Sequence, residues 1–210
     1  MSSATLIGDL LGSRVSHDRD RLHAHLSTVL DVVNARLSPT TQLRITVGDE
    51  YQGVFRSVGE AVRASLLLRL AMLPDHDVRH GLGWGPVSVL QEEPRVEDGP
   101  GWWAARDAIV AVEAGEERAG TRSLRTAYVA APDAGGPDPA AVNAALLLRD
   151  QLVGGLSQRS MSVLRGLLDG ETQRDIATEL GISASAVSQR VRHDGLAAIV
   201  AAEQLLGEVT

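Results

Sequence analysis

The sequence predicts a mixed α and β fold in two parts, an N-terminal domain of strands and helices followed by an all-α C-terminal domain. Strand-like and helix-like hydrophobic patterns alternate along residues 1–131. The segment APDAGGPDP (131–139) then interrupts the pattern with three prolines and two glycines, and only helical patterns follow it. We therefore expect domains over residues 1–131 and 156–210, joined by a linker and a connecting helix over 132–155.

The N-terminal elements follow from the period of the apolar residues. A short apolar strand begins at Leu6 and ends at Asp9, and residues 16–37 have the period of an amphipathic helix. Two strands are expected on either side of Gly48-Asp49-Glu50, since Gly and Asp favour tight hairpin turns. The remaining predicted elements are a helix over 58–73, a strand pair or bent strand over 78–90, a helix over 101–117 and a strand over 123–131.

Two further features complete the expected organisation. Glycines at 81, 83 and 85 predict a close approach of another part of the backbone to the strand that carries them. After the Pro/Gly-rich break, the sequence predicts a connecting helix over 140–156 and then three short helical runs.

The C-terminal part has the pattern of a helix-turn-helix. Residues 173–180 predict a short helix, and residues 184–193 predict a second one that buries Val187 and Val191. Between them, Gly181 suits a left-handed helix end, and Ser183 suits the N-cap of the second helix. The segment resembles region four of sigma factors and related winged or tri-helical regulator domains, which implies binding to double-stranded DNA.

The second helix of this motif would lie in the major groove. Small and polar residues at its start permit close approach, and Gln and Arg side chains can bond base edges or phosphates. The predicted DNA-binding residues are Ser183, Ser185, Ala186, Ser188, Gln189, Arg190 and Arg192. The alternative is a small helical bundle that uses the same turn for protein contacts.

Two carboxylates of the N-terminal domain predict a metal site. Asp9 ends a buried strand and Asp49 sits in a hairpin turn that could lie beside it. Two carboxylates in such a place repel each other, and a divalent cation that prefers oxygen ligands, Mg²⁺ or Mn²⁺ brought by a phosphate ligand, would relieve the repulsion. The turn at Gly12 and Ser13 would offer backbone N–H groups to phosphates. The alternative is that both Asp side chains serve as separate caps or turn residues.

These segments resemble a known fold family. The motifs IGDLLGS, VGDEYQGVF, RHGLGWGPV and GWWAAR follow the order of the class III nucleotide cyclase and GGDEF palm, a ferredoxin-like α+β domain. The whole chain most resembles the SatD family, on GDLLGSR, GDEYQG and DGPGWWAAR. The resemblance implies a metal site at Asp9 and Asp49. It also implies a nucleotide site formed by Gly12, Ser13, Arg14, Gly48, Glu50 and Arg106.

The chain departs from the cyclase pattern where catalysis needs it. The cyclase Asn that stands four residues before the transition-state Arg is Trp102, the base-reading Lys is Ile45, and the first Gly of GGDEF is Val47. Nucleotide binding is therefore expected rather than turnover, with an active cyclase or nucleotidyl transferase as the alternative. Glu50 is expected to face solvent or bond Arg14 rather than hold the metal. Trp102 and Trp103 are expected in the core or at a dimer interface.

The composition and net charge limit the kinds of site and the locations in the cell that we expect. The 210 residues contain no cysteine, so disulfides and Cys-based zinc sites are excluded. No signal sequence or long apolar run is evident, which predicts a cytoplasmic protein without a membrane segment. The net charge of −7 predicts that any DNA contact is local.

We therefore expect a transcriptional regulator that acts as a homodimer, its N-terminal domain binding a nucleotide with Mg²⁺ or mediating the dimer contact. A third possibility is an adaptor that uses both domains for protein contacts.

Overall fold

A computed structural model of the protein describes residues 2–12 and 19–210. Within these residues the chain forms seven strands and eight helices, in a mixed α+β arrangement. In chain order they are β1 (Ser2–Leu10), α1 (Arg19–Leu37), β2 (Thr41–Val47), β3 (Glu50–Phe55), α2 (Val58–Met72), β4 (Val78–Pro86), β5 (Ser88–Gln91), β6 (Val96–Asp98), α3 (Pro100–Gly115), β7 (Thr126–Ala130), α4 (Pro139–Gly154), α5 (Gln158–Leu168), α6 (Gln173–Glu179), α7 (Ala184–His193) and α8 (Leu196–Gly207).

The described strands form a five-stranded sheet in the order β2-β3-β1-β4-β7. β1 lies in the middle and pairs antiparallel with both β3 and β4, while β4 and β7 are parallel. The expected hairpin about residues 48–50 is confirmed as β2 and β3. Residues 78–90, expected to form a strand pair or a bent strand, form β4 and most of β5, which do not pair with each other, and β5 pairs with β6 in a separate hairpin.

One face of the sheet carries the main hydrophobic core. Alternate residues of β1, including Leu6 and Leu10, pack against α1, α2 and α4. The apolar period of residues 16–37 is confirmed from Arg19 onward, since Leu22, Leu26, Val29, Leu30 and Val33 are the buried residues of α1. This face also holds the buried pair of Tyr51 and His80, whose Oη and Nε2 atoms are 2.7 Å apart.

The other face of the sheet is covered by α3. The expected close approach at the glycines of β4 is confirmed here, because the backbone of α3 lies directly on them. A Cβ atom added at Gly83 would stand 2.1 Å from the carbonyl oxygen of Gly101. Ile7 and Val54 from the sheet pack against Trp102 and Ile109 on this side. α3 is therefore held at a fixed distance from β1, with its outer face exposed.

The C-terminal helices pack on one another and on α2. Four helices follow α4, rather than the three expected, because α8 adds a further run after the predicted motif. A second core joins Leu66 and Leu70 of α2 to Leu164 of α5, Val187 of α7 and Ile199 of α8. The backbone N–H of Gly59 also donates to the carbonyl of Val209, so the chain end returns to the start of α2.

Candidate functional site

Asp9 lies in β1, one residue before the strand ends, as the sequence predicts. Its Cα faces that of Arg79 on β4, and the neighbouring Gly8 faces Tyr51 on β3. Asp49 lies with Gly48 in the turn between β2 and β3. The antiparallel pairing of β1 with β3 brings this turn to the same end of the sheet as Asp9.

The pKa of Asp9 reflects the nearby negative charge of Asp49. Burial raises the pKa of Asp9 above its ordinary value, and the negative charges of Asp49, Glu113 and Glu50 raise it further, while the guanidinium of Arg79 opposes them. One carboxylate oxygen, Oδ1, is buried without a hydrogen-bond partner in the described chain. A buried acceptor without a partner is unfavourable. The oxygen is therefore available to a cation.

Glu50 has a partner on α3 that the sequence did not predict. Its two carboxylate oxygens accept bonds of 2.7 and 2.8 Å from the two terminal nitrogens of Arg106 on α3. This bidentate ion pair raises the pKa of Arg106. Two residues predicted to contact a nucleotide thus bond each other across the sheet edge. The predicted partner Arg14, and Ser13, lie outside the described residues.

A cavity of about 540 Å³ lies next to Asp49. α1 and the β2–β3 hairpin form its walls, and Asp20 and His23 contribute polar groups from α1. His23 and Ile45 also line a second cavity of about 630 Å³ along β2, so the two share a boundary. Cavities of this size are within the range that holds small ligands and cofactors. The residues lining the first are Leu10, Arg19, Asp20, Leu22, His23, Leu26, Ile45, Thr46, Gly48 and Asp49.

The described carboxylates supply only part of a metal site. Across residues 2–12 and 19–210, no three His, Asp or Glu side chains converge so as to hold a metal ion. Asp9 and Asp49 nevertheless provide the hard oxygen donors that Mg²⁺ prefers, and this ion commonly takes one or two carboxylates together with phosphates and water. The donor chemistry therefore fits Mg²⁺ brought by a phosphate ligand.

Trp102, which replaces the Asn of the cyclase pattern, and its neighbour Trp103 have different environments. Trp102 is buried against Ile7 and Val54, and its indole nitrogen has no hydrogen-bond partner within the described chain. Trp103 is 60% exposed, and its indole nitrogen donates to Asp98 over 2.9 Å. The prediction of a core role is thus confirmed for Trp102, while Trp103 lies on the surface of the chain.

α7 has the predicted bounds and N-cap, and α6 ends at Glu179, one residue before the predicted end. Gly181 adopts a φ of 62°, which favours glycine, and the amide of Ile182 donates to the carbonyl of Ala177. The Ser183 side chain accepts from the amide of Ala186 and caps α7. Of the ten residues of α7 only Val187 is fully buried, and Ser185, Gln189 and Arg192 are exposed.

Arg190 has a different environment from its neighbours. Its guanidinium donates to the Oγ of Ser160 on α5 and lies 4.0 Å from Asp194, and the side chain is half-buried. Ala186 and Ser188, the other members of the predicted set, are also only partly exposed. Arg192 therefore is the guanidinium that α7 presents most openly.

Several residues of the site carry no recognisable sequence signal. Arg79 lies beside Asp9 and forms ion pairs with Glu113 of α3 and with Glu116 just after it, at 3.2 and 3.1 Å. Nothing in the local pattern around these residues predicts that they meet, because they are separated by more than 30 positions in the chain. The alternation of Arg79 with the buried Val78 and His80 is the one available sign that it faces α3.

Comparison with solved structures finds nucleotide cyclase domains of limited similarity. A bacterial light-regulated adenylyl cyclase has a TM-score of 0.48 at 13% identity, covering 61% of this chain and 42% of that one. The guanylyl cyclase domain of the RhoGC fusion protein from the aquatic fungus Blastocladiella emersonii has a TM-score of 0.43 at 21% identity, covering 52% and 74%. An adenylate/guanylate cyclase/hydrolase from Silicibacter pomeroyi has 0.41 at 23% identity, covering 51% and 68%. With TM-scores below 0.5, these likenesses do not extend to activity.

Three further findings reach beyond the candidate site. Within the described residues, none of the helices combines the length and the apolar character needed to span a bilayer. No curated protein matches the sequence at a significant level. The sequence model of the SatD family, however, matches residues 4–206, which is nearly the entire chain. The protein therefore belongs to the SatD family.

Proposed function

We propose that the protein is a DNA-binding transcriptional regulator whose N-terminal domain binds a nucleotide together with Mg²⁺. The observation that carries the DNA part is α7 itself. It follows a tight turn, has a serine cap, buries a single residue completely and leaves Ser185, Gln189 and Arg192 exposed. A helix that reads the major groove needs this combination of a fixed start and an accessible polar face.

The charge distribution supports a local and modest DNA contact. Residues 156–210 contain five Arg and seven acidic residues, a net charge of −2. Arg192 is exposed, whereas Arg190 is held by Ser160 and Asp194. A single α7 therefore presents few cations to phosphates. A homodimer that places two copies of α7 on one duplex would add their contacts, and we include this assembly and a cytoplasmic location in the proposal.

The DNA contact is tested by the retention of a labelled fragment taken from near the protein's own gene, over a range of salt concentrations. We expect the affinity to fall as the salt concentration rises, with a slope set by a few Arg contacts, and Arg192→Ala should weaken binding to all sequences. Gln189→Ala should instead reduce the preference for the specific fragment. Arg118→Ala, an exposed Arg in the loop after α3, is the matched control and should bind like wild type. Equal binding by wild type and both α7 variants would show that α7 is not in the groove.

The nucleotide part of the proposal depends on Asp9 and Asp49. The buried Asp9 Oδ1 has no hydrogen-bond partner among the residues that the structure describes, and Asp49 lines the cavity of about 540 Å³. A nucleoside triphosphate whose phosphates carry Mg²⁺ would satisfy both carboxylates. Arg106 would remain paired with Glu50 or turn toward the phosphates. Ser13, Arg14 and Gly12, predicted to contact the phosphates, belong to the same proposed site.

Calorimetry with ATP and with GTP, each with and without Mg²⁺, tests this site. We expect Mg²⁺-dependent binding to wild type and a loss of at least tenfold in affinity for Asp49→Asn, because one carboxylate cannot hold the metal against phosphate repulsion. Asp75→Asn, in the exposed turn after α2, is the matched control. Unchanged affinity in Asp49→Asn would contradict the proposed site.

An active nucleotide cyclase is the second candidate, and the environment of α3 makes it the weaker one. Trp102 is packed in the core where the cyclase pattern has an amide side chain, and Arg106 is engaged by Glu50. Loss of one transition-state donor lowers rates by about 10²–10³. Chromatography of long incubations with ATP and GTP separates the candidates. A cyclic nucleotide formed by wild type and absent from Asp9→Asn would favour the enzyme.

A further inference from the structure

A separate apolar cavity lies between the N-terminal domain and the C-terminal helices. It has a volume of about 250 Å³, and its walls come from α1, α2 and α5. α1 and α2 contribute most of the apolar surface, with Val29, Val32, Val33, Leu67, Leu70 and Ala71. Val32 is 62% exposed and Ala71 is also exposed, so the cavity opens to the surface between α1 and α2.

Three charged side chains stand among these apolar walls. Arg36 on α1 forms an ion pair with Asp169, just after α5, and donates a bond of 2.7 Å to the carbonyl of Leu168. Arg165 on α5 donates to the carbonyls of Leu70 and Leu73 at the end of α2. Both Arg residues and Asp169 line the cavity, and two positive charges against one negative leave a net charge of +1.

Because Asp169 pairs with Arg36, Arg165 is the cation of the cavity that has no counterion within the described residues. Within the described residues it forms no ion pair, although its side chain is half-buried. Burial accordingly lowers its pKa, with no carboxylate to oppose the effect. Its bonds to α2 involve Nε and Nη2, so Nη1 has no bond within the described chain. The cavity therefore combines apolar walls with a guanidinium that can bind an anion.

The size of the cavity restricts the occupant. An apolar cavity of about 150 Å³ is known to hold benzene, so about 250 Å³ accommodates one ring or a short alkyl chain with a small polar group. A guanidinium bonds carboxylates through more than one N–H and favours them over neutral acceptors. We propose that this cavity binds a small monocarboxylate with an aromatic or short aliphatic body, its carboxylate at Arg165 and its body among Val33, Leu67 and Leu70.

Such a ligand would connect the two parts of the chain. It would touch α2 on one side and α5 on the other, and Leu70 also belongs to the core that contains Val187 of α7. Binding would thus favour the state in which α5 is docked on α2. This site is separate from the proposed nucleotide site at Asp9 and Asp49, and neither proposal depends on the other.

Calorimetry and thermal melting with matched ligand pairs test the proposal. We expect benzoate and hexanoate to bind the full-length chain and raise its melting temperature, and benzyl alcohol and hexanol to bind at least tenfold more weakly. Arg165→Gln should lose the preference for the acids. Equal binding of acids and alcohols, or no binding of either, would overturn the proposal.

A second variant tests the location independently of Arg165, which also supports the end of α2. Ala71→Leu places a larger side chain at the cavity mouth on an exposed helix position and should lower the affinity for hexanoate at least tenfold. Ala111→Leu is the matched control, an exposed position of α3 on the opposite face of the sheet, and should bind like wild type. Unchanged hexanoate affinity in Ala71→Leu would place the ligand elsewhere and contradict the proposal.

Discussion

The guanidinium of Arg149 on α4 donates a bond of 3.0 Å to the carboxylate of Glu203 on α8, and both side chains are buried. The same guanidinium donates to Ser65 of α2 and Thr126 of β7. One side chain thus connects the sheet, the helical layer on it and the last helix of the chain. Asp150 supplies a second negative charge at 3.3 Å.

We expect Arg149→Met to destabilise the protein by about 3–5 kcal/mol, because it leaves buried carboxylates without their cation. Glu203→Gln should cost less than half of that, since burial already raises the pKa of Glu203 and an amide can still accept from Arg149. Urea unfolding of both variants at pH 7 measures the difference. A smaller loss in Arg149→Met than in Glu203→Gln would show that Arg149 is not the centre of this network.

The contact between β4 and α3 predicts a second stability effect. Gly83→Ala would place a Cβ atom 2.1 Å from the Gly101 carbonyl and 2.5 Å from the Ala105 amide, both of them backbone groups that cannot rotate away. We expect a loss of at least about 2 kcal/mol in unfolding free energy. Gly120→Ala is the control, because nothing lies within 4 Å of its added Cβ. Equal melting temperatures for the two variants would mean that α3 does not rest on β4.

The ionised side chain of Asp9 is expected to lower the stability of the folded protein, although it serves nucleotide binding. Its pKa is raised, chiefly by burial, so the folded state holds the proton more tightly than the unfolded chain does. The ionised form at pH 7.5 is therefore unfavourable for folding. We predict that Asp9→Asn melts at or above the wild-type temperature without ligand, and gains no stability from ATP with Mg²⁺. Asp75→Asn should resemble wild type in both conditions. A melting temperature of Asp9→Asn below that of wild type without ligand would contradict this account.

The buried His80 predicts a pH dependence of stability. Burial and the charges of Arg149 and Arg69 lower its pKa to about 3, although Asp77 opposes them. The unfolded chain, with a His pKa of 6.5, binds this proton first as the pH falls, so stability is lost from pH 6.5 toward about 3. The slope for one proton is about 1.4 kcal/mol per pH unit.

Urea unfolding between pH 7 and 4 compares wild type with His80→Gln. The variant should be less stable at pH 7, because Tyr51 loses its bond to the ring, but its stability should fall less steeply with acid. His25→Gln, at an exposed position of α1, is the control and should keep the wild-type slope. Identical slopes for wild type and His80→Gln would show that His80 does not titrate in this way.

Local patterns in the sequence determined a large part of this structure. The period of apolar residues predicted the order and approximate bounds of most elements, since a helix or strand must bury one face wherever it packs. Glycine spacing in β4 predicted the close contact with α3. Gly181 and Ser183 predicted the turn and cap before α7, because left-handed backbone and side-chain capping depend on single residues. The placement of Asp9 and Asp49 was predicted in the same way.

The tertiary structure alone decided which distant residues meet. β5 pairs with β6 and not with β4, and Glu50 bonds Arg106 on α3, a partner that the sequence did not predict. Arg149 reaches Glu203, and the chain end returns to α2. The last three of these contacts join segments tens of residues apart, and they form because the whole chain buries its surface together. A local hydrophobic period shows which face of an element is buried, but it holds no information about the partner that covers that face.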